Sequence, residues 1–121
     1  IQHFFSEDNF PHGSQFGSCS LLSSLGALFP AKTRALFKAG VEQDIATLFE
    51  LHHAFHAMHV EVFGSFLAEE RIDGAYDKMI KRAGGMREMP LRLLSPYEGF
   101  SEARYAEFER VIREKYADWL A

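Results

Sequence analysis

"GSCSLLSSLGALFPAKTRALFKAG" runs from Gly17 to Gly40. Its first half is small and apolar, and Ser18–Ser24 reads as a short strand. Its second half turns helical at Pro30, a residue suited to a first helical turn because the N–H it lacks has no intrahelical acceptor there. Gly40 then reads as a left-handed stop after a helix over Ala31–Ala39. A strand needs a partner, and the only other candidate is Ile1–Phe5, IQHFF. Its β-branched and aromatic residues precede the turn-forming SEDN of Ser6–Asn9. Between the two candidates, Pro11, Gly13 and Gly17 interrupt any long element.

Everything downstream has helical spacing. From Glu42 to about Phe66, bulky positions fall at Ile45, Leu48, Phe49, Phe55, Met58, Val62, Phe63 and Phe66. They follow the three-and-four spacing of one buried stripe, with His52, His56 and His59 in its seam. A third helix is expected over Asp73–Ala83, with Ala75, Tyr76, Met79, Ile80 and Ala83 inward and Gly84-Gly85 closing it. "MPLRLLSPYEGF" reads as an extended, proline-punctuated connection. Ser101 is placed to cap a last helix, Glu102–Leu120, with Tyr105, Phe108, Ile112, Tyr116 and Trp119 on one face. The expected class is mainly α, more than half helix, with strand confined to the region before Phe29.

The chain has 121 residues, 47% hydrophobic and 25% charged, the composition of one globular domain with a single core. A net charge of -4 leaves no basic surplus to displace counterions from a nucleic acid, so no nucleic-acid partner is expected. No apolar run approaches the ~18–20 residues needed to cross a bilayer, so no membrane partner is expected. Cys19 is the only cysteine, which excludes an intramolecular disulfide and suggests a reducing, cytoplasmic setting. With no evident base beyond His3 and His12, Cys19 reads better as a small hydrophobe than as a nucleophile. The chain opens at Ile1 without an initiator Met, so a preceding segment is expected. No compact catalytic signature for nucleotide, zinc-protease or serine-hydrolase chemistry occurs.

The histidines carry the sharpest local chemistry. His52, His56 and His59 stand at i, i+4 and i+7, within about 40° of one another around a helix, a face suited to a zinc or iron ion. Metal sites in helical bundles add carboxylates or histidines from other helices. Here no Glu-x-x-His pair occurs, and the other inner faces are aromatic and aliphatic. Hydrogen-bonded histidines at a packing or subunit surface are the favoured reading. A free-standing helical domain that binds a protein or a metal through His52/His56/His59 is the alternative.

The order of short motifs resembles the end of the dihydrodipicolinate synthase and N-acetylneuraminate lyase family. In that family a Gly-hydrophobic-hydrophobic-Ser strand leads through a turn with Pro to a helix ending in Ala-Gly-Asp. A helix bearing a lysine, a Leu-Gly step, a Leu-Arg-Leu-Pro run and a final helix follow. Gly17–Ser20, Pro30, Ala39-Gly40, Lys78, Gly85-Met86, Arg92-Leu93 and Pro96 stand in those places, and "FFSEDN" over Phe4–Asn9 resembles the preceding strand and its turn. The family's Asn-Pro-x-Pro before the lysine-bearing helix is "DGAYDK" here.

The resemblance implies the C-terminal portion of a (β/α)8 TIM barrel. Residues 1–40 would hold strands seven and eight and the following helix, and residues 41–121 a helical appendage. It also implies a homo-oligomeric class I lyase, aldolase or dehydratase that forms a Schiff base between a lysine and a 2-oxo acid such as pyruvate, with no cofactor. That lysine lies on strand six in the family, upstream of this chain, and none of Lys32, Lys38, Lys78, Lys81 or Lys115 matches it. No catalytic residue is therefore expected here. Because barrel sites lie at the C-terminal ends of the strands, Ser6, Glu7, Asp8, Cys19 and Ser20 are the candidate wall of the substrate site.

Overall fold

The computed structural model describes residues 1–120. It is mainly helical, 59% helix and 3% strand, and all strand lies before Phe29, as the spacing predicts. Two strands, β1 (Phe4–Phe5) and β2 (Ser20–Leu21), flank a one-turn helix α1 (Phe10–Gly13). A 3-10 turn at Leu25–Ala27 leads into α2 (Pro30–Glu42), followed by α3 (Ile45–Leu67), α4 (Asp73–Ala83), α5 (Glu102–Lys115) and a final 3-10 turn at Ala117–Trp119.

β1 and β2 pair in parallel, Phe4 opposite Ser20 and Phe5 opposite Leu21. The ladder continues outward through Ser20 N–H to the His3 carbonyl and Leu22 N–H to the Phe5 carbonyl, each 2.8 Å. Parallel neighbours require a crossover, because a tight hairpin can only reverse the chain. The segment between them supplies one, and α1, a single turn, is the short element that Pro11, Gly13 and Gly17 leave room for. Both strands are shorter than the expected runs. Phe5, Cys19 and Leu21 pack on the helical core, whereas Phe4 and Leu22 are 59% and 68% exposed.

Gly40 is not a stop. α2 continues through it to Glu42, and the left-handed residue is Gln43, at φ 57°. Gly40 faces the ring of Phe10, where a Cβ would lie 2.5 Å from the ring edge. Its lack of a side chain therefore serves close packing of α1 on α2. The Gln43 side-chain amide donates to the Ser14 carbonyl at 2.9 Å and the Gly40 carbonyl at 2.7 Å, joining the ends of both helices. The break between α2 and α3 thus falls at Gln43-Asp44.

Asp44 starts α3 by accepting the Thr47 N–H at 3.2 Å, and the Thr47 hydroxyl, then that N–H, hold its carboxyl below the ordinary value. The inward stripe of α3 is Leu48, Phe55, Met58, Val62, Phe63 and Phe66. Ile45 and His56 are exposed instead, and His52 and His59 lie half-buried at the edges. α4 spans the expected residues. Ser101 caps α5 by accepting the Arg104 N–H at 3.2 Å, but α5 ends at Lys115, not Leu120. The chain then tightens into the 3-10 turn that inserts Trp119 edge-on against Phe29 and Phe55, ring centroids 5.3 and 5.4 Å apart. Phe63, Phe66, Phe100 and Phe108 form the other end of the same core. Each fully buried ring contributes about 1.5–3 kcal/mol of transfer free energy.

Candidate functional site

The parallel register places the loops after β1 and β2 side by side, and one carboxylate joins them. Glu7 Oε1 accepts a short hydrogen bond from the Ser23 hydroxyl and the Leu25 N–H at 3.0 Å. Ser23 Oγ in turn accepts the Gly26 N–H at 2.8 Å. Glu7 therefore starts the 3-10 turn from across the sheet, since Ser24 at the turn's own first position makes no side-chain cap.

Beyond this clasp a cleft of about 250 Å³ opens between the strand ends and helices α3 and α4. Asp8, Asp73 and Asp77 present carboxylates to it, His59 an imidazole, and Phe55 and Phe63 much of its apolar floor. The His59 ring lies over Phe63, centroids 5.1 Å apart. Tyr76 also lines the cleft but donates its hydroxyl to the Phe66 carbonyl at 3.1 Å; burial, then the charge of Glu69, pushes this phenol above its ordinary value. No lysine or arginine lines the cleft among the described residues. Its groups suit hydrogen bonding to hydroxyls, binding of a cationic end and proton transfer through Asp8 or His59. They supply no amine for a Schiff base.

The expected wall residues divide. Glu7 and Asp8 line this cleft. Ser6 belongs to the turn, its carbonyl accepting the Asn9 and Phe10 N–H groups at 3.1 and 2.8 Å. Cys19, just before β2, and Ser20, its first residue, stand too early to reach the strand end. Cys19 borders a separate cleft beside Phe10 and Gly40, and Ser20, level with Phe4, accepts the Gln2 amide at 3.0 Å. Ser23 and Ser24 take the places that Cys19 and Ser20 were expected to fill. Asp73 and Asp77 come from α4, read from the sequence only as a packing helix, and His59 from the α3 face read as packing or, alternatively, as a metal- or protein-binding surface.

The three histidines also separate. His52 stacks on Phe49 and meets the edge of His12, centroids 5.9 and 5.6 Å away. His56 faces solvent, and His59 faces the cleft. Among the described residues no three His, Cys, Asp or Glu side chains converge to hold a metal ion. Burial, then the neighbouring His53 and His12, lowers the pKa of His52, and its Nδ1 is buried without a partner.

Compared with known proteins, the chain matches no family model, no curated protein and no solved structure. Among the described residues no helix is long and apolar enough to cross a membrane.

Proposed function

We propose that the chain is the closing segment of a (β/α)8 barrel of the dihydrodipicolinate synthase and N-acetylneuraminate lyase type, and that the complete protein is a class I pyruvate-dependent lyase, aldolase or dehydratase. The observation that carries this reading is the parallel pairing of β1 with β2 across a crossover. Phe5, Cys19 and Leu21 pack on the helical core, whereas Phe4 and Leu22 on the other face are exposed. Parallel sheets occur almost solely with both faces and their flanking strands covered. In the barrel reading, the open face bearing Phe4, Ser20 and Leu22 fills the barrel interior, and six further strands join the free edges.

In this arrangement the Glu7 clasp fixes the rim of strands seven and eight, and the acidic cleft forms the outer wall of the site. The nucleophilic lysine comes from an earlier strand. It attacks the 2-oxo carbon of pyruvate and, with loss of water, forms the imine that stabilises the carbanion. The five lysines of this chain are unsuited to that role by position. Lys78 donates to the Arg92 carbonyl at 2.5 Å, Lys81 pairs with Asp77 at 3.5 Å, and Lys38 pairs with Glu42 at 3.9 Å. Lys32 lies 5.1 Å from the Trp119 ring centre, and Lys115 pairs with Glu61.

Borohydride trapping with pyruvate tests the proposal. The complete gene product is expected to gain one N-(1-carboxyethyl) group on a lysine preceding Ile1, and the 121-residue chain none. An adduct on any of the five lysines here, or none on the complete protein, would overturn it.

A further inference from the structure

Apart from the acidic cleft, a second depression of about 460 Å³ lies between the start of α2 and the facing parts of α4 and α5. Three guanidinium groups line it, from Arg82, Arg87 and Arg113, with Glu109 the only carboxylate among its lining residues. Pro30, the first residue of α2, borders the same space, and no side chain caps that helix.

The arginines keep donors to spare. Arg82 lies over the Tyr105 ring, 4.5 Å from its centre, and gives Nη1 to Glu102 at 2.9 Å. Arg113 gives Nε and Nη2 to one oxygen of Glu109, at 3.0 and 2.6 Å. Each guanidinium carries five N–H donors in a rigid fork, so Arg82 Nη2 and Arg113 Nη1 remain available. Arg87 has no ion pair among the described residues. It follows Gly85, whose φ of 122° turns the chain out of α4 and around the depression. Gly84 lets this turn press on the 3-10 turn before α2: a Cβ there would lie 2.0 Å from the Ala27 carbonyl oxygen. The glycines thus hold Arg82 and Arg87 at the head of α2, where helical N–H groups and the dipole favour negative charge.

We propose that this depression binds a small phosphate-bearing molecule, with the phosphate held between Arg87, Arg113 and the start of α2. Planar guanidinium forks match the oxygens of a phosphate, and the dipole at the start of α2 favours its charge. The space exceeds that of a bare anion and suits a sugar-phosphate-sized ligand. The site is separate from the cleft assigned to lyase chemistry, and the inference does not depend on that assignment.

Calorimetric titration of the 121-residue chain with ribose 5-phosphate, with inorganic phosphate and malonate in parallel at matched ionic strength, tests it. Saturable 1:1 binding of the sugar phosphate is expected, tighter than that of either small anion. Arg87→Gln and Arg113→Gln should each weaken binding about tenfold or more. Lys38→Gln, near the other end of α2, should leave it unchanged. Both arginines are largely exposed, and circular dichroism of each variant checks that the fold is retained. No saturable binding at millimolar ligand, equal binding of malonate, or an Arg87→Gln variant of unaltered affinity would each overturn the proposal.

Discussion

Replacing Glu7 by Ala is expected to destabilise the chain far more than an ordinary loop substitution. Its Oε1 receives both the Ser23 hydroxyl and the Leu25 N–H, and Leu25 is only 7% exposed. Removing the carboxylate leaves a largely buried backbone donor unpaired, at about 1–3 kcal/mol, and deletes a charge-assisted bond to Ser23. Water reaches the Ser23 side of the clasp, so the net loss is about 2–3 kcal/mol. With a urea m-value of about 1–1.5 kcal/mol/M for so small a chain, the midpoint falls by about 2 M. Glu7→Gln keeps an acceptor oxygen and should lose about 1 kcal/mol.

A double-mutant cycle with Ser23→Ala separates the clasp from general loop damage. Coupling of about 1 kcal/mol or more is expected between the two positions. A Glu7→Ala midpoint equal to the parent's, or zero coupling, would refute the assignment of Glu7 as the tie between the strand ends. Glu7 would then be free to contact a ligand directly, as its place in the sequence first suggested.

Gly84→Ala forces a Cβ to within 2.0 Å of the Ala27 oxygen; the obstacle is backbone, so a loss of about 2–3 kcal/mol is expected from thermal melting, and a neutral result would remove the close approach of α4 to the 3-10 turn. His52 titrates below the ordinary histidine value of about 6.5 because burial and the nearby His53 and His12 oppose its charged form. The unfolded chain then binds the extra proton, so the contribution of neutral His52 is present above pH ~6.5 and lost as pH falls toward the depressed folded value. Urea titrations at successive pH values should show a shallower decline below pH ~6.5 for His52→Gln than for the parent, and equal slopes would refute this. His56 is exposed, so His56→Gln should change stability by less than about 0.5 kcal/mol; a tightly held metal ion that disappears in that variant would restore the rival metal-binding reading.

The extent to which the sequence discloses this structure depends on whether a feature is local. Asp73–Ala83 was legible end to end because its periodicity and its two closing glycines are both near-neighbour properties. Ser101 was legible as a cap for the same reason. Gly40 misled because glycine serves both left-handed turns and close approach; only the ring of Phe10, thirty positions upstream, distinguishes the two uses. The register of two short strands is set by the crossover and by contacts with α2 and α3. Cys19 and Ser20 were therefore placed at a strand end that Ser23 and Ser24 occupy. His52, His56 and His59 do share a helical face, but α3 carries that face past α1, then solvent, then the cleft, so each ring meets different neighbours. The cleft residues Asp73 and Asp77 carried no signal, since an acidic residue in a first helical turn is an ordinary partner of the dipole and Asp77 reads as an ordinary i,i+4 partner of Lys81.

The barrel reading has a consequence that a self-sufficient helical domain does not share. Leu22 extends the ladder of β2 through its N–H, yet its side chain is 68% exposed and stands on the face opposite Leu21. In the 121-residue chain alone, Leu22→Asp places a charge in water and should lose only the modest strand preference, about 0.5–1 kcal/mol. In the complete protein the same side chain would enter a barrel interior filled by apolar residues. An unpaired carboxylate there costs several kcal/mol, enough to abolish folding of a domain whose whole stability is about 5–15 kcal/mol. Soluble yield and melting of the two lengths, each with and without the substitution, give four measurements and one decisive difference. A large loss in the long form and a small one in the short form is expected. Equal, small losses in both would mean that no further strands cover this face, and the parallel pair would then be the edge of a helical domain rather than the seam of a barrel.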